Sequence, residues 1–189
     1  NVVTSFLLLL LPSTSYSQEF PTKSVRWIVP YAPGGSSDIL ARLIGQKLGE
    51  RWGHTVIVDN RAGAAGNIGT EVAAKSPADG YTMLMAPTSI YAIAMTLYKD
   101  PGYDVVKDFA PVSSVANALH VLVVNPEVRA RTLKELVALA RQNPGGLAVA
   151  SQGTGTVSHL EAVMLEQMAG VQLVHVPYKG SAPALIDLL

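Results

Sequence analysis

The chain has 189 residues, 49% hydrophobic and 15% charged, which is enough apolar material for a core in one or two α/β units and too much for a disordered chain. Fourteen basic residues balance fourteen acidic ones, so no net field draws nucleic acid or an anionic membrane to the surface, and neither is expected as a partner. There is no cysteine, which excludes disulfides, thiolate metal sites and a cysteine nucleophile.

In chain order, residues 1–17 carry a short apolar run from Phe6 to Leu11, then Pro12 and small polar residues. That run is too short to span a bilayer and fits the remnant of a secretory signal peptide cut after Ser17. A buried core segment is the alternative. From Val25 onward, β-branched runs alternate with helix-patterned segments. VRWIVPY reads as a buried strand, and Ile39 to Trp52 reads as an amphipathic helix with Ile39, Leu40, Leu43, Ile44 and Leu48 on one stripe. TVIVDN is the next strand, a glycine-rich passage from Ala62 to Gly69 opens a short helix through Lys75, and YTMLMA is a third strand. This β-α-β-α-β order predicts parallel strands with helices on their faces.

Past Ser89 the pattern weakens. YKDPGYDVVKDF reads as surface loop, and APVSSVANALHVLVVNP gives two β-like runs without a helix between them, so residues 112–120 are expected to form a hinge strand. Alternation resumes with a capping box, Thr132 to Glu135, opening a helix that ends near Asn143-Pro-Gly-Gly. LAVAS is then a strand, QGTGTVSH a loop, Leu160 to Ala169 a helix, VQLVHVPY a strand and SAPALIDLL the start of a helix, which reads as a second lobe left incomplete. Two lobes are therefore expected, 18–111 and 121–189, with a ligand cleft between them.

Loops leaving the carboxyl ends of parallel strands face such a cleft. Four of them are rich in small residues: Pro33 to Asp38, the loop around Gly63 and Gly66, Thr88-Ser89, and Ser151 to His159. Glycine admits close approach of backbone amides to an anion, and a helix N-terminus behind it adds a favourable dipole. The hydroxyls of Ser36, Ser37, Thr88, Ser151, Thr154 and Thr156 can complete the shell around a carboxylate. For Gly34-Gly35-Ser36-Ser37-Asp38 a plain helix start capped by Ser37 or Asp38 explains the spacing equally well.

Other chemistries fit less well. Gly63, Gly66 and Gly69 follow the second strand with the wrong spacing for a dinucleotide fingerprint, and no G-x-x-x-x-G-K-[ST] phosphate loop exists. The serine-hydrolase G-x-S-x-G is missing. His54, His120, His159 and His175 show no metal-ligand spacing, and each reads as a structural histidine without an acidic or histidine partner. Arg61 and Lys179 flank glycine-rich loops, where a surface charge is the simpler reading than an anion contact. No catalytic residue, metal or cofactor is expected.

Together VPYAPGGSSD, DNRAGAAGNIGTEVAAKSPADGYT, DVVKDFAPV, SQGTGTVSHL and HVPYKGSAPALIDLL resemble the Bug family, the substrate-binding proteins of tripartite tricarboxylate transporters. The resemblance spans Phe20 to Leu189. It implies a two-lobed periplasmic-binding-protein fold of Venus-flytrap, type II-like form, of which this chain lacks a C-terminal part. It also implies an exported, periplasmic and monomeric protein that captures a dicarboxylate, tricarboxylate, acidic amino acid or aromatic acid and passes it to membrane permease subunits. The residues it implies for binding are Tyr31, Gly34, Gly35, Ser36, Asp38, Gly66 and Thr88 in the first lobe. In the second they are Ser151, Gly153, Gly155, Thr156, His159 and Tyr178. Tyr31 stands where phenylalanine is usual, Ala65 where glycine is frequent and Val105 where proline is common; the phenol of Tyr31 is expected to offer a hydrogen bond in the cleft. Two other outputs stay open: an exported hydrolase or transferase using Ser36 or Ser151, and a ligand sensor paired with a histidine kinase.

Overall fold

In the computed structural model, which describes residues 19–189, β1 (Val25–Val29) is the middle strand of a parallel sheet of order β2-β1-β3. Helices or strands on both sides leave Val25, Ile28 and Val29 with no exposed surface, which is why this strand reads as a continuous apolar run rather than an alternating one. β2 (Val56–Asn60) pairs with it from Val25–Val56 to Val29–Asn60, and β3 (Thr82–Leu84) from Arg26–Thr82 to Ile28–Leu84. The expected signal segment, 1–17, lies outside the described residues.

The chain leaves β1 through α1 (Ser36–Trp52), returns as β2 on one side, then crosses by α2 (Asn67–Ala74) to β3 on the other. The carboxyl ends of β1 and β3 thus form a topological switch point, where open parallel sheets hold their ligands. The stripe expected on α1 is corrected. Leu40, Ala41, Ile44 and Leu48 pack on Trp27, Val29 and Val56, whereas Ile39 and Leu43 are 57% and 58% exposed. The seam is rotated because Ala41 and Gly45, small enough for close contact with the sheet, take its centre; counting only large apolar residues misplaces it.

Beyond β3, a π-helical turn over Ser89–Ile93 runs into α3 (Ala94–Leu97), a helical segment that composition did not suggest. The following loop is anchored, not merely superficial: Tyr103 is buried and donates to Asn67 Oδ1 at 2.8 Å, with Phe109 edge-on to its ring. Burial pushes the Tyr103 phenol up to about 12.

Residues 112–120 are not a strand. No ladder forms between 110 and 125, and Val112, Leu119 and Val121 are at least 80% exposed. The β-branched residues suit a pleated surface, but a strand also needs a neighbour to take its amides and carbonyls, and none is found among the described residues.

The second unit begins with α4 (Leu133–Gln142), whose capping box is formed as expected: Glu135 N donates to Thr132 Oγ1 and Thr132 N to Glu135 Oε2. β4 (Ala148–Ser151) and β5 (Val174–Pro177) pair in parallel, joined by α5 (Val157–Ala169), and α6 (Ser181–Leu188) follows. α5 starts three residues before the apolar pattern does, because Thr156 already holds extended N-cap geometry. Among the described residues no helix is long and apolar enough to cross a membrane.

Candidate ligand-binding cleft

Two helix starts face each other where the units meet. The Gly180 side of α6 lies on the loop after β1: Ala32 N donates to the Lys179 carbonyl at 2.9 Å. A β-carbon built on Gly35 would stand 2.8 Å from Ser181 Oγ, so with glycine the starts of α1 and α6 come this close without displacing the serine hydroxyl. Tyr31, Gly35, Ser36, Ser37, Asp38, Gln152 and Ser181 line the small cleft between them. The opening amides of each helix have no carbonyl partner within it, and no side chain caps either start. Among the described residues the hydroxyls of Ser36, Ser37 and Ser181 make no hydrogen bond, and no lysine or arginine lines the cleft. Two uncapped, dipole-positive helix ends with free hydroxyls suit an anion. The free space is about 10 Å³, room for about one water.

Asp38 lies behind this surface. It accepts from Gly34 N at 2.9 Å, from Asn60 Nδ2 at 2.9 Å, and from Arg42 at 2.9 and 3.0 Å through both carboxylate oxygens. Burial pulls its pKa up, but Arg42, the Gly34 amide and Asn60 outweigh that and hold the carboxyl below its ordinary range. Asp38 therefore braces the loop. The N-cap is Gly35, not Ser37 or Asp38.

The other expected residues divide in the same way. Thr88 is exposed, and its hydroxyl meets Tyr91 at 3.1 Å. Gly66 is buried, with its carbonyl held by Thr70. Ser151 and Thr156 are each 2% exposed and spend their hydroxyls on their own loop: Ser151 Oγ accepts from Gly153 N at 3.1 Å, and Thr156 Oγ1 donates to Gly153 O at 2.7 Å. Gly153, at φ +137°, fits against the Ala65 backbone, and Tyr98 donates to Thr154 O at 2.8 Å, so this loop abuts the first unit, with Gln152 as its residue in the cleft. Tyr178 donates to Asp187 on α6. Tyr31 is buried and its hydroxyl meets Ser89 and Ala65, not the cleft.

His159 and His175 do have histidine partners, namely each other, and His120 has an acidic one, its Nδ1 lying 2.8 Å from Glu161 Oε2. The rings of His159 and His175 stack with centroids 4.0 Å apart, His159 Nδ1 accepts from Gly155 N at 3.1 Å, and His175 Nε2 lies 2.7 Å from Ser151 Oγ. Positions sixteen apart in sequence gave no sign of this because the parallel β4–β5 pairing creates it. Burial, then the neighbouring His159, push the His175 pKa down. Arg61 is paired with Asp59. Among the described residues no cluster of three His, Cys, Asp or Glu side chains can hold a metal. Gln152 and Ser181 are the cleft residues that sequence reasoning missed; for Ser181, its position at a helix start after Gly180 was the available signal.

A larger depression of about 470 Å³ lies along Gly45, Gly49, Gly53 and His54, at the other end of α1. Among the described residues no helix start lines it.

The fold, parallel-stranded α/β units with a switch point between β1 and β3, is that of solved periplasmic binding proteins such as BugD, at 34% identity and a TM-score of 0.77 over 89% of this chain and 56% of the other. The chain is a member of the tripartite tricarboxylate transporter family receptor family, whose model matches residues 40–189. It is 40% identical to protein BugT of Bordetella pertussis over 90% of this chain and 52% of that protein. Among solved structures it is similar to an R. palustris protein with adipate, at 40% identity and a TM-score of 0.86 over 89% of this chain and 56% of the other. MatC from Rhodopseudomonas palustris with bound malate matches at 29% identity and 0.82, over 89% and 57%. The chain thus spans about half the length of the proteins it matches. The family is one of receptors and its solved members are binding proteins, not enzymes, so the hydrolase alternative falls. The buried state of Ser151 agrees with that outcome.

Proposed function

We propose that this chain is part of an exported, periplasmic solute-binding protein that grips a small carboxylate between the starts of α1 and α6. Two lobes, 18–111 and 121–189, with 112–120 as the connection, close over the ligand. The captured acid then passes to membrane permease subunits, and the protein works as a monomer. The observation that supports this most is the convergence of two uncapped helix starts, Gly35 and Gly180, on free serine hydroxyls with no cationic side chain in the cleft. Such a surface neutralises one carboxylate by amides and dipoles, at a distance that also admits a bridging water. Because the cleft has room for about one water, entry of a larger acid requires the two helix starts to part and close again. The solved relatives with adipate and malate make linear dicarboxylates the first ligands to try.

A thermal-shift panel of dicarboxylates, tricarboxylates, acidic amino acids and aromatic acids tests this reading. An acid at about 100 times its Kd stabilises the native state by about 2.7 kcal/mol, a rise of several degrees in Tm. A flat panel would remove the carboxylate assignment. A response confined to neutral sugars or cations would replace it.

A further inference from the structure

We infer that Tyr31 is a positioning residue, whose hydroxyl holds the Gly63–Gly66 loop in a strained shape and thereby seats Gly153 and the second unit's glycine loop. The inference rests on the carboxylate reading for its affinity arm only. Tyr31 follows the central strand by two residues, at the switch point, and is 5% exposed. Its hydroxyl donates to the Ala65 carbonyl at 3.2 Å and lies 2.6 Å from Ser89 Oγ, itself 5% exposed. A phenol has one proton to give, so Ser89 supplies the second bond, and the relay runs Ser89 to Tyr31 to Ala65.

Ala64 and Ala65 both lie in the left-handed region, at φ +46° and +55°. Alanine carries a β-carbon that this region disfavours, and two such residues in succession persist only where their surroundings over-determine them. Gly66 N closes onto Gly63 O from within the loop; the hold on Ala65 from outside it is the Tyr31 hydroxyl. Ala65 in turn forms the wall for the second unit, since a β-carbon built on Gly153 would lie 3.3 Å from Ala65 Cα and 3.5 Å from its Cβ. A phenylalanine at this place would fill the same space, yet leave Ala65 O and Ser89 without this partner. The device therefore belongs to the tyrosine hydroxyl.

The test uses Tyr31→Phe, Ser89→Ala, Ala65→Gly and the pairs Y31F/S89A and Y31F/A65G. Amide hydrogen exchange at residues 64–66 is read without ligand, and affinity and dissociation rate are read with a dicarboxylate. In Y31F, exchange at 64–66 is expected to rise about tenfold, and affinity to fall about fivefold to tenfold through faster dissociation. S89A acts in the same direction and is less than additive with Y31F. A65G, which takes positive φ without strain, is expected to bring the affinity of Y31F back to within about threefold of its own single variant. Unchanged exchange in Y31F overturns the inference. So does an affinity loss that A65G leaves undiminished, because the phenol would then be acting on the ligand itself. If the unmodified protein binds no carboxylate, the functional reading fails, while the exchange arm still decides whether Tyr31 holds the loop.

Discussion

Gly35 and Ser181 stand so close that a β-carbon on the glycine would lie 2.8 Å from the serine hydroxyl oxygen. This approach joins the starts of α1 and α6 into one surface, and it gives a graded expectation. Gly35 has an ordinary φ of −81°, so substitution meets no backbone strain, only the neighbour. Ser181 can rotate away from a methyl group but not from a branched side chain. Gly35→Ala should weaken carboxylate binding about tenfold, near 1.4 kcal/mol, with recovery in Gly35→Ala/Ser181→Ala. Gly35→Val should lose binding beyond detection in both backgrounds. Titration calorimetry distinguishes the two, and equal losses for alanine and valine would mean that the contact does not shape the site.

Asp38 is a brace, so its loss should cost stability as well as binding. Removing it strands Asn60 and the Gly34 amide and frees an Arg42 that is half exposed. Asp38→Ala should destabilise the fold by about 1–3 kcal/mol in urea unfolding. Its carboxyl is held below the ordinary range, so its contribution is present above the unfolded pKa near 4. That contribution is lost as pH falls through the lower folded value. The gap between wild type and variant should accordingly narrow only in acid. A gap constant down to pH 2 would contradict the brace.

The imidazole stack gives a second pH dependence at higher pH. Burial, then His159, lower the His175 pKa in the folded chain, whereas unfolded it protonates near 6.5. The unfolded state then binds more protons, and stability rises with pH through that window. The contribution of His175 is complete above its unfolded pKa near 6.5 and is lost as pH falls through the lower folded value. His175→Gln should flatten the change in urea midpoint between pH 7.5 and 5.5. The same slope in both proteins would assign the dependence elsewhere.

At Gly153 the backbone itself forbids a side chain. Its φ of +137° is essentially a glycine conformation, and the Ala65 backbone and the Tyr178 carbonyl would each lie 3.3 Å from a β-carbon. Gly153→Ala should destabilise by about 1–3 kcal/mol and weaken ligand binding, while Gly145→Ala, at another positive φ but with open space around it, should cost stability alone. Thermal unfolding with and without ligand separates the two. Equal effects on binding would remove the loop from the site.

The alternation of strands and helices was legible because β1 and the helices after it carry unambiguous periodicity and turn residues, and the helix-start glycines at 34 and 35 were legible as a candidate anion seat. Three things were not. The seam of α1 depends on Ala41 and Gly45, whose smallness matters only once the sheet is in place. The strand-like run at 112–120 has the side chains of a strand without a neighbour to pair with. The inward turn of Tyr31 and the meeting of His159 with His175 arise from contacts between separate segments, while Ser151 and Thr156 turn in to bond Gly153 of their own loop. Hydroxyl-rich loops announce polar chemistry, but composition does not say whether those hydroxyls face a ligand or build the loop. Among the described residues the ones at 36, 37 and 181 make no hydrogen bond and those at 151 and 156 are spent.

The most direct test of carboxylate capture by the two helix starts is a calorimetric comparison of one linear dicarboxylate with its uncharged diamide, in the unmodified protein and in Gly35→Val. The expected result is saturable binding of the diacid, at least a hundredfold weaker binding of the diamide, and no binding of either by the valine variant. Equal affinity for diacid and diamide, or a diacid affinity unchanged by valine at position 35, would contradict it.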